Sequence, residues 1–256
     1  MKHLKLFAIG ILLVTTSFGL AEPVTNNLQL FLLIGQSNMA GRGKVEPQDQ
    51  VIHPRIFMFT KEQQWLPAKD PLHFDKPKMA GVGPGMGFAR QLVAGNTNLT
   101  VGLIPCAVGG TSLDQWKAGG TLYSDAVART WAAMQHGQLA GILWHQGEAD
   151  SDHAKVATYS ERFATMIRQL RQDLQAENVP VIMGELGRFR KASKEFNEAL
   201  PEISKQVPNC AWVSAENLTD RGDKLHFDAK SQRVFGQRYA AAFLKLTPHS
   251  DAGKHN

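Results

Sequence analysis

Cysteine is scarce in this sequence. The 256 residues contain only two cysteines, Cys106 and Cys210. Two thiols cannot build a disulfide-stapled mini-protein or a zinc site with four thiolate ligands. Both cysteines flank apolar stretches, so one disulfide and two buried thiols stay equally open from the sequence. The shortage of thiols directs the search for a nucleophile towards serine.

A concentrated excess of one charge is also missing. The 28 lysines and arginines are scattered along the chain among 23 aspartates and glutamates, which gives a net charge of +5. No basic stripe with interleaved aromatic residues is present, so nucleic-acid binding is not expected. With 43% hydrophobic and 20% charged residues, the composition excludes collagen, coiled coils and wholesale disorder. The length suits one domain with a sizeable core.

The sequence has no hydrophobic run long enough to cross a bilayer, which takes about 20 apolar residues. The apolar stretch Leu6–Val14 is shorter, follows Lys2 and Lys5, and leads to small residues up to Ala21. This pattern is typical of a secretory signal that is cut near Ala21, with an uncleaved anchor as the alternative. We therefore expect residues 1–21 to direct export to the periplasm or the medium. Their removal would leave 26 basic against 23 acidic residues, a charge of +3 and no membrane span.

Five near-continuous apolar runs have the length of β-strands. Such runs are typical of strands that are buried on both faces of a parallel sheet. Helical patterns lie between them, and this alternation predicts a three-layer α/β/α sandwich around a mainly parallel five-stranded sheet. The predicted strands are Leu28–Ile34, Arg55–Phe59, Leu99–Pro105, Ala140–His145 and Pro180–Glu185, with a weaker sixth at Ala211–Ser214, and the clearest helices are Gly87–Ala94, Tyr123–His136, Val156–Gln175, Ala192–Val207 and Asp228–Leu244.

Repeats, low-complexity tracts and linkers are absent between these elements. The sequence therefore predicts a single domain over residues 22–248, followed by a disordered tail at 249–256. In a sheet of this kind, ligands bind at the carboxyl ends of the strands. The residues that follow each predicted strand are therefore the first candidates for a site.

Glycine-rich turns of the usual kinds are absent after the first strand. The segment GQSNMAGRG at 35–43 lacks the last glycine of Gly-x-Ser-x-Gly and the full Walker A pattern, and GVGPGMG at 81–87 does not fit G-x-G-x-x-G. The first segment nevertheless places Ser37 just beyond a hydrophobic strand, where Gly35 allows a tight turn. Ser37 is therefore either an exposed nucleophile or the N-cap of the next helix.

Glycines and an amide follow two further strands. Gly109 and Gly110 come after the third strand, and paired glycines let backbone N–H groups approach a ligand as an oxyanion hole requires, with a plain loop as the alternative. After the fourth strand, Gln146 carries a neutral NH₂ group that can donate to a developing oxyanion. Potential metal ligands also lie here, but no H-E-x-x-H or similar spacing appears, so no metal or other cofactor is expected. These ligands are His145, Glu148, Asp150, Asp152 and His153.

An acid and a histidine are spaced three residues apart near the end of the chain. Asp223 can fold back in a turn and accept a hydrogen bond from Nδ1 of His226, which leaves Nε2 free to take a proton from a serine. Alone, this pair is as typical of a surface turn. Together with Ser37, the glycine pair and Gln146, it predicts a nucleophile, a base, an orienting acid and oxyanion donors.

The motifs resemble those of the SGNH/GDSL-type hydrolase superfamily, specifically the sialate O-acetylesterase-like branch that includes acetylxylan esterases of carbohydrate esterase family 6. The similarity covers nearly the whole mature chain. It implies a flavodoxin-like fold and metal-free deacetylation of O-acetylated sugars. The motifs that carry it are GQSNMAGRG at 35–43, DPLH at 70–73, GVGPGMGFA at 81–89, IPCAVGGTSLDQW at 104–116, LWHQGEAD at 143–150 and DKLHFDAKSQ at 223–232.

The resemblance also implies roles for individual residues. Ser37 is the expected nucleophile, His226 the general base and Asp223 its orienting acid. The expected oxyanion donors are the backbone N–H groups of Ser37 and Gly110 and the side chain of Gln146. Two alternatives stay open, namely Glu148 as the acid partner of His226 and Gly109 as the backbone donor.

Four further residues near these motifs are candidates for contact with the sugar: Gln36, Asn38, Arg42 and Trp116. Trp116 is equally expected as a core or rim aromatic, and Arg42 as a structural ion-pair partner. A lipase or thioesterase on the same fold, and a carbohydrate-binding protein that has lost catalysis, are the competing functions. The sequence leaves open which acetylated sugar is the substrate and how many copies of the chain associate.

Overall fold

A computed structural model describes residues 27–247. The predicted signal at 1–21 and the predicted tail at 249–256 lie outside these residues. Within the described residues, none of the helices combines the length and the apolar composition that a membrane crossing needs.

The described residues form a seven-stranded sheet with the order β3-β2-β4-β1-β5-β6-β7. Neighbouring strands run parallel, except for β2 and β3, which are antiparallel. The central strand β1 is paired on both sides, and Leu32 lies opposite Ile104 of β4 and Ile142 of β5. The strands are β1 Leu28–Gly35, β2 Ile56–Phe59, β3 Trp65–Pro67, β4 Val101–Pro105, β5 Gly137–His145, β6 Val181–Gly184 and β7 Cys210–Val213.

The predicted number of five strands is wrong, because the described sheet contains seven. The weaker sixth run, expected at Ala211–Ser214, is the edge strand β7. The additional strand β3 is only three residues long, ends in Pro67, and buries only Trp65. Its three residues are too few to form an apolar run of the usual strand length, so the sequence carries no clear strand pattern.

Helices cover both faces of the sheet, which confirms the predicted three layers. Residues of β1 alternate between two apolar clusters: Leu30 and Leu32 pack with α3, α4 and α5, whereas Phe31 and Leu33 pack with α2 and α6. Because both alternating faces are covered, the strand reads as a near-continuous apolar run. The helices are α1 Ser37–Ala40, α2 Pro84–Gly95, α3 Thr121–Met134, α4 His153–Asp173, α5 Lys194–Lys205 and α6 Ala229–Leu246.

The two cysteines are free thiols in this fold. Cys106 follows β4 and Cys210 begins β7. Burial raises the pKa of Cys106 to about 11 and the pKa of Cys210 to about 12. Of the two possibilities left open by the sequence, the structure therefore has two thiols that stay protonated at neutral pH.

Helices α2 and α6 cross at very short distance. A Cβ atom on Gly236 of α6 would lie 2.2 Å from the carbonyl oxygen of Pro84 and 2.6 Å from the nitrogen of Phe88. Both contacts are with backbone atoms of α2, so no side-chain rotation can relieve them. Asp228 caps the start of α6 by accepting a hydrogen bond from the Ser231 N–H. The helix crossing and this cap together fix the segment that precedes α6.

Replacing Gly236 with alanine should force α2 and α6 apart. We expect Gly236→Ala to lower the free energy of unfolding by about 1–3 kcal/mol, as overpacking of a core typically does. Gly95→Ala is the matched control, because a Cβ on this α2 residue would meet nothing within 4 Å. It should leave stability unchanged or raise it by up to about 1 kcal/mol. Urea denaturation measures both, and equal stabilities for the two variants would contradict this packing.

Candidate active site

Ser37 lies where the central strand ends. Strand β1 ends at Gly35, and Ser37 is the first residue of the short helix α1. Its backbone N–H has no hydrogen-bond acceptor among residues 27–247. The parallel neighbours β4 and β5 end at the same edge, so the segments after all three strands meet around Ser37.

His226 connects Ser37 to Asp223. Nε2 of His226 lies 3.0 Å from Oγ of Ser37, and its Nδ1 lies 2.7 Å from Oδ2 of Asp223. The other Asp223 oxygen, Oδ1, accepts hydrogen bonds from the backbone N–H groups of Leu225 at 3.0 Å and His226 at 2.8 Å. With Nδ1–H donated to the carboxylate, Nε2 carries the lone pair that accepts the serine O–H.

The Asp223 carboxylate is held in its ionised form. Burial pushes the pKa of Asp223 upward, but the hydrogen bonds from His226 and Leu225 outweigh this effect and hold the pKa below its usual value. An ionised acid at this position favours one orientation of the imidazole and stabilises a positive charge on it.

Asn38 joins the segment of Ser37 to the segment of His226. Its Nδ2 donates to Oε1 of Glu148 at 2.6 Å and to the carbonyl oxygen of Leu225 at 3.1 Å. Its Oδ1 accepts from the Phe227 N–H at 3.1 Å. The amide therefore holds the residues on both sides of His226. Asn38 is only 1% exposed, and in this structure its amide contacts other residues of the protein.

Glu148, the alternative acid, makes its contacts elsewhere. Besides Asn38, its Oε1 lies 3.6 Å from Nε2 of His145, and the carboxylate is not paired with His226. Burial pushes the pKa of Glu148 upward, but the contacts with His145 and Asn38 outweigh it and lower the pKa. The structure thus places Asp223, rather than Glu148, on the imidazole.

The glycine turn after β4 lies against Ser37. A Cβ atom on Gly109 would be 3.4 Å from Cβ of Ser37. The Gly109 N–H donates to Oδ2 of Asp75 at 2.8 Å, whereas the Gly110 N–H has no acceptor among residues 27–247. Of the two glycines, Gly110 is therefore the one with a free donor.

The side chain of Gln146, predicted as an oxyanion donor, makes its hydrogen bonds within the protein in this structure. Its Nε2 donates to Oδ2 of Asp150 at 2.6 Å and to the carbonyl oxygen of Thr111 at 3.2 Å. Its Oε1 accepts from the Tyr159 hydroxyl at 2.7 Å. Both amide protons are thus donated within the protein. Gln146 is 1% exposed and braces the loops after β4 and β5 against α4.

The other predicted sugar contacts are also buried. Trp116 is 1% exposed, and its indole N–H donates to Oγ1 of Thr111 at 3.0 Å. Arg42 forms an ion pair of 2.7 Å with Asp75, so the structure favours the structural alternative for both residues. Gln36 is buried next to Ser37, and its side-chain oxygen Oε1 accepts a hydrogen bond from the Gly147 N–H at 3.4 Å. All three residues are at most 4% exposed in this structure.

Asp75 is the site residue that sequence reasoning missed. It contacts both Arg42 and the glycine turn, yet it lies in a loop between β3 and α2 that follows no predicted strand. The only available signal was the neighbouring DPLH motif at 70–73. Within residues 27–247, no group of three or more histidine, cysteine, aspartate or glutamate side chains is arranged to hold a metal ion.

A family model for carbohydrate esterases, described as sialic acid-specific acetylesterase, matches residues 27–245. The chain belongs to this family. It is therefore an ester hydrolase, and the fold agrees with the sialate O-acetylesterase-like resemblance of the sequence motifs.

A relative of this chain is also described as a carbohydrate esterase. A probable carbohydrate esterase of Arabidopsis thaliana, At4g34215, is 32% identical over 243 residues, which cover 87% of this chain and 92% of the relative. The solved structure of this Arabidopsis protein has a TM-score of 0.79 at 31% identity, with 86% and 98% of the two chains covered.

Two more distant structures share the fold. NanS matches with a TM-score of 0.72 at 19% identity, over 87% of this chain and 98% of its own. XAC1771, a carbohydrate acetylesterase from Xanthomonas citri, matches with a TM-score of 0.65 at 20% identity, over 85% of this chain and 56% of its own.

Removing the Asn38 amide should loosen the segment that carries His226. We expect Asn38→Ala to lower the free energy of unfolding by about 1–3 kcal/mol, because Glu148 loses a buried hydrogen-bond donor. We also expect kcat on p-nitrophenyl acetate to fall at least about tenfold, since His226 is no longer held against Ser37. Asn98→Ala, at an exposed loop position, is the matched control. An Asn38→Ala enzyme as stable and active as this control would contradict the role of the amide.

Proposed function

We propose that this carbohydrate esterase removes acetyl groups from O-acetylated sugars through a Ser-His-Asp acyl-enzyme mechanism. One observation carries the proposal: the continuous line of contacts from Ser37 Oγ to His226 Nε2 at 3.0 Å and from His226 Nδ1 to Asp223 Oδ2 at 2.7 Å. Nucleophile, base and orienting acid are within hydrogen-bond reach of one another, which is the geometric requirement for serine nucleophilic catalysis.

In the first step, Oγ of Ser37 attacks the acetyl carbonyl carbon while Nε2 of His226 takes the hydroxyl proton. The ionised Asp223 stabilises the imidazolium that forms. The carbonyl oxygen becomes an oxyanion, and the backbone N–H groups of Ser37 and Gly110 are the donors left for it. Neutral donors fixed by the fold stabilise this charge without having to reorganise.

In the second step, the tetrahedral intermediate collapses and the C–O bond to the sugar breaks. The sugar oxygen leaves with the proton from His226, and the acetyl group remains on Ser37. Water then attacks the acetyl-serine, with His226 acting again as the base. This step releases acetate and regenerates the free Ser37 hydroxyl. No redox step or additional reactant besides water is needed.

A carbohydrate substrate is supported by the family and by relatives named as carbohydrate esterases. The nature of the acetylated sugar, whether a xylan backbone, a sialic acid or another glycan, is tested by acetate release from a panel of O-acetylated glycans. A lipase or thioesterase would instead hydrolyse long-chain acyl esters faster than acetyl esters in a matched p-nitrophenyl series. Glycan binding without acetate release would indicate a carbohydrate-binding protein.

Ser37→Ala should abolish acetate release both from p-nitrophenyl acetate and from the best glycan of the panel. The expected loss is at least about 10³-fold in kcat/KM, because no other hydroxyl can take over the attack. Ser124→Ala, which changes an exposed serine of α3, serves as the control and should keep full activity. A Ser37→Ala enzyme that retains a near-normal rate would reject the nucleophile.

The acid that orients His226 is tested by comparing Asp223→Asn with Glu148→Gln. Asp223→Asn should reduce kcat by about 10²–10⁴-fold, because the amide no longer fixes the imidazole tautomer. Glu148→Gln should reduce kcat less, because Glu148 contacts Asn38 and His145 rather than His226. Thermal unfolding of both variants separates lost catalysis from lost stability. A larger kcat loss for Glu148→Gln would reverse the assignment, and small, equal losses would reject both acids.

A further inference from the structure

We propose that Asp75 is a positioning residue that decides which glycine N–H is presented to the acyl oxygen. By accepting the N–H of Gly109, Asp75 removes this donor from the site and leaves the N–H of Gly110. The inference rests on the proposed esterase mechanism, because the donor matters only where an oxyanion forms.

One carboxylate oxygen of Asp75 contacts both the Gly109–Gly110 turn and Arg42. Its Oδ2 accepts from the Gly109 N–H at 2.8 Å and from Nη2 of Arg42 at 2.7 Å. The side chains of Arg42 and Asp75 are 1% and 2% exposed, so water screens this ion pair poorly. A charge-assisted acceptor on a buried backbone N–H fixes the position of that peptide unit.

Arg42 also contacts the segment of Ser37 and, through Arg221, the segment of Asp223. Nη1 of Arg42 donates to the carbonyl oxygen of Gly41 at 2.7 Å, directly after the helix that begins with Ser37. The Arg42 carbonyl oxygen accepts from Nη1 of Arg221 at 2.7 Å, and Nε of Arg221 lies 3.6 Å from Oδ2 of Asp223. Arg42, which is paired with Asp75, therefore connects the glycine turn with the segment of Ser37 and, through Arg221, with Asp223.

Gly109 is closely surrounded by Arg42, Asp75 and Ser37. A Cβ atom on Gly109 would lie 2.4 Å from Nη2 of Arg42, 3.1 Å from Oδ2 of Asp75 and 3.4 Å from Cβ of Ser37. The turn is thus enclosed between the ion pair and the nucleophile. If the acceptor at Asp75 is lost, the peptide unit of Gly109 can rotate or shift, and the N–H of Gly110 moves with it. Loss of one oxyanion donor typically costs about 10²–10³-fold in kcat.

Two double variants isolate the acceptor from the ion pair. Arg42→Met/Asp75→Asn and Arg42→Met/Asp75→Leu both remove the two charges, so neither leaves a buried charge without its partner. They differ in that asparagine can still accept from the Gly109 N–H and the similarly shaped leucine cannot. We expect kcat on p-nitrophenyl acetate to be at least about tenfold lower for the leucine variant, with KM changed less than about threefold.

Two controls accompany the double variants, one for folding and one for the loss of a charge. Circular dichroism confirms that both variants are folded, and Glu202→Gln removes an exposed carboxylate elsewhere without an effect on kcat. Equal kcat values for the two folded double variants, or a difference confined to KM, would overturn the positioning role.

Amide hydrogen exchange on the unmodified protein gives an independent test that needs neither folded variants nor esterase activity. The Gly109 amide should exchange at least about tenfold more slowly than the Gly110 amide, because only the former donates within the protein. Exchange of Gly109 as fast as that of Gly110 would overturn the proposal. If Ser37→Ala keeps its activity while Gly109 is protected, the esterase mechanism fails and the contact of Asp75 stands.

Discussion

The parallel pairing of β1 with β4 and β5 is the constraint on which the site depends. It brings three strand ends to one edge, so that Ser37, the Gly109–Gly110 turn and the loop of Gln146 converge although they are far apart in the chain. The sheet alone does not position the base. His226 comes from the segment before α6, and it reaches Ser37 because α6 is packed against α2 and capped by Asp228. The contact between Ser37 and His226 thus depends on sheet pairing on one side and on helix packing on the other.

Hydrogen bonds to buried polar groups then set the geometry within this frame. Asn38, Gln146 and Asp75 each contact at least two different loops of the site. Because a buried polar group that loses its partner costs free energy, such contacts specify one arrangement of the loops. Asp223 differs from these residues, since 39% of its side chain is exposed. The acid that acts on His226 is therefore at the rim of the site, and the polar residues beneath it serve as its support.

The sequence was sufficient to predict the layers of the fold and the polar residues that gather at its site. It was not sufficient to predict which partners the buried side-chain amides would bind. Ser37 and His226 could be recognised because one follows a strongly apolar strand and the other has an acid three residues before it. Gln146 and Asn38 also follow strands, but an amide hydrogen-bonds equally well to a ligand and to neighbouring loops. Which of the two occurs depends on partners such as Asp150 and Leu225, whose proximity only the fold determines. The short edge strand β3 was missed for a similar reason, because its pairing with β2 is not encoded in a local pattern.

The distribution of charge explains why a basic composition is compatible with catalysis through neutral donors. Arg42 is paired with Asp75, and Arg233 lies 2.8 Å from Asp49, so these guanidinium groups are neutralised by carboxylates of the fold. Arg171 donates to the Val179 carbonyl oxygen at 3.0 and 2.6 Å and supports a loop. Next to Ser37, the positive charge of Arg42 is therefore compensated, and in the proposed mechanism backbone N–H dipoles face the substrate. A neutral ester gains little from such dipoles before the attack and much more once the oxyanion forms, so they favour the transition state over the bound substrate.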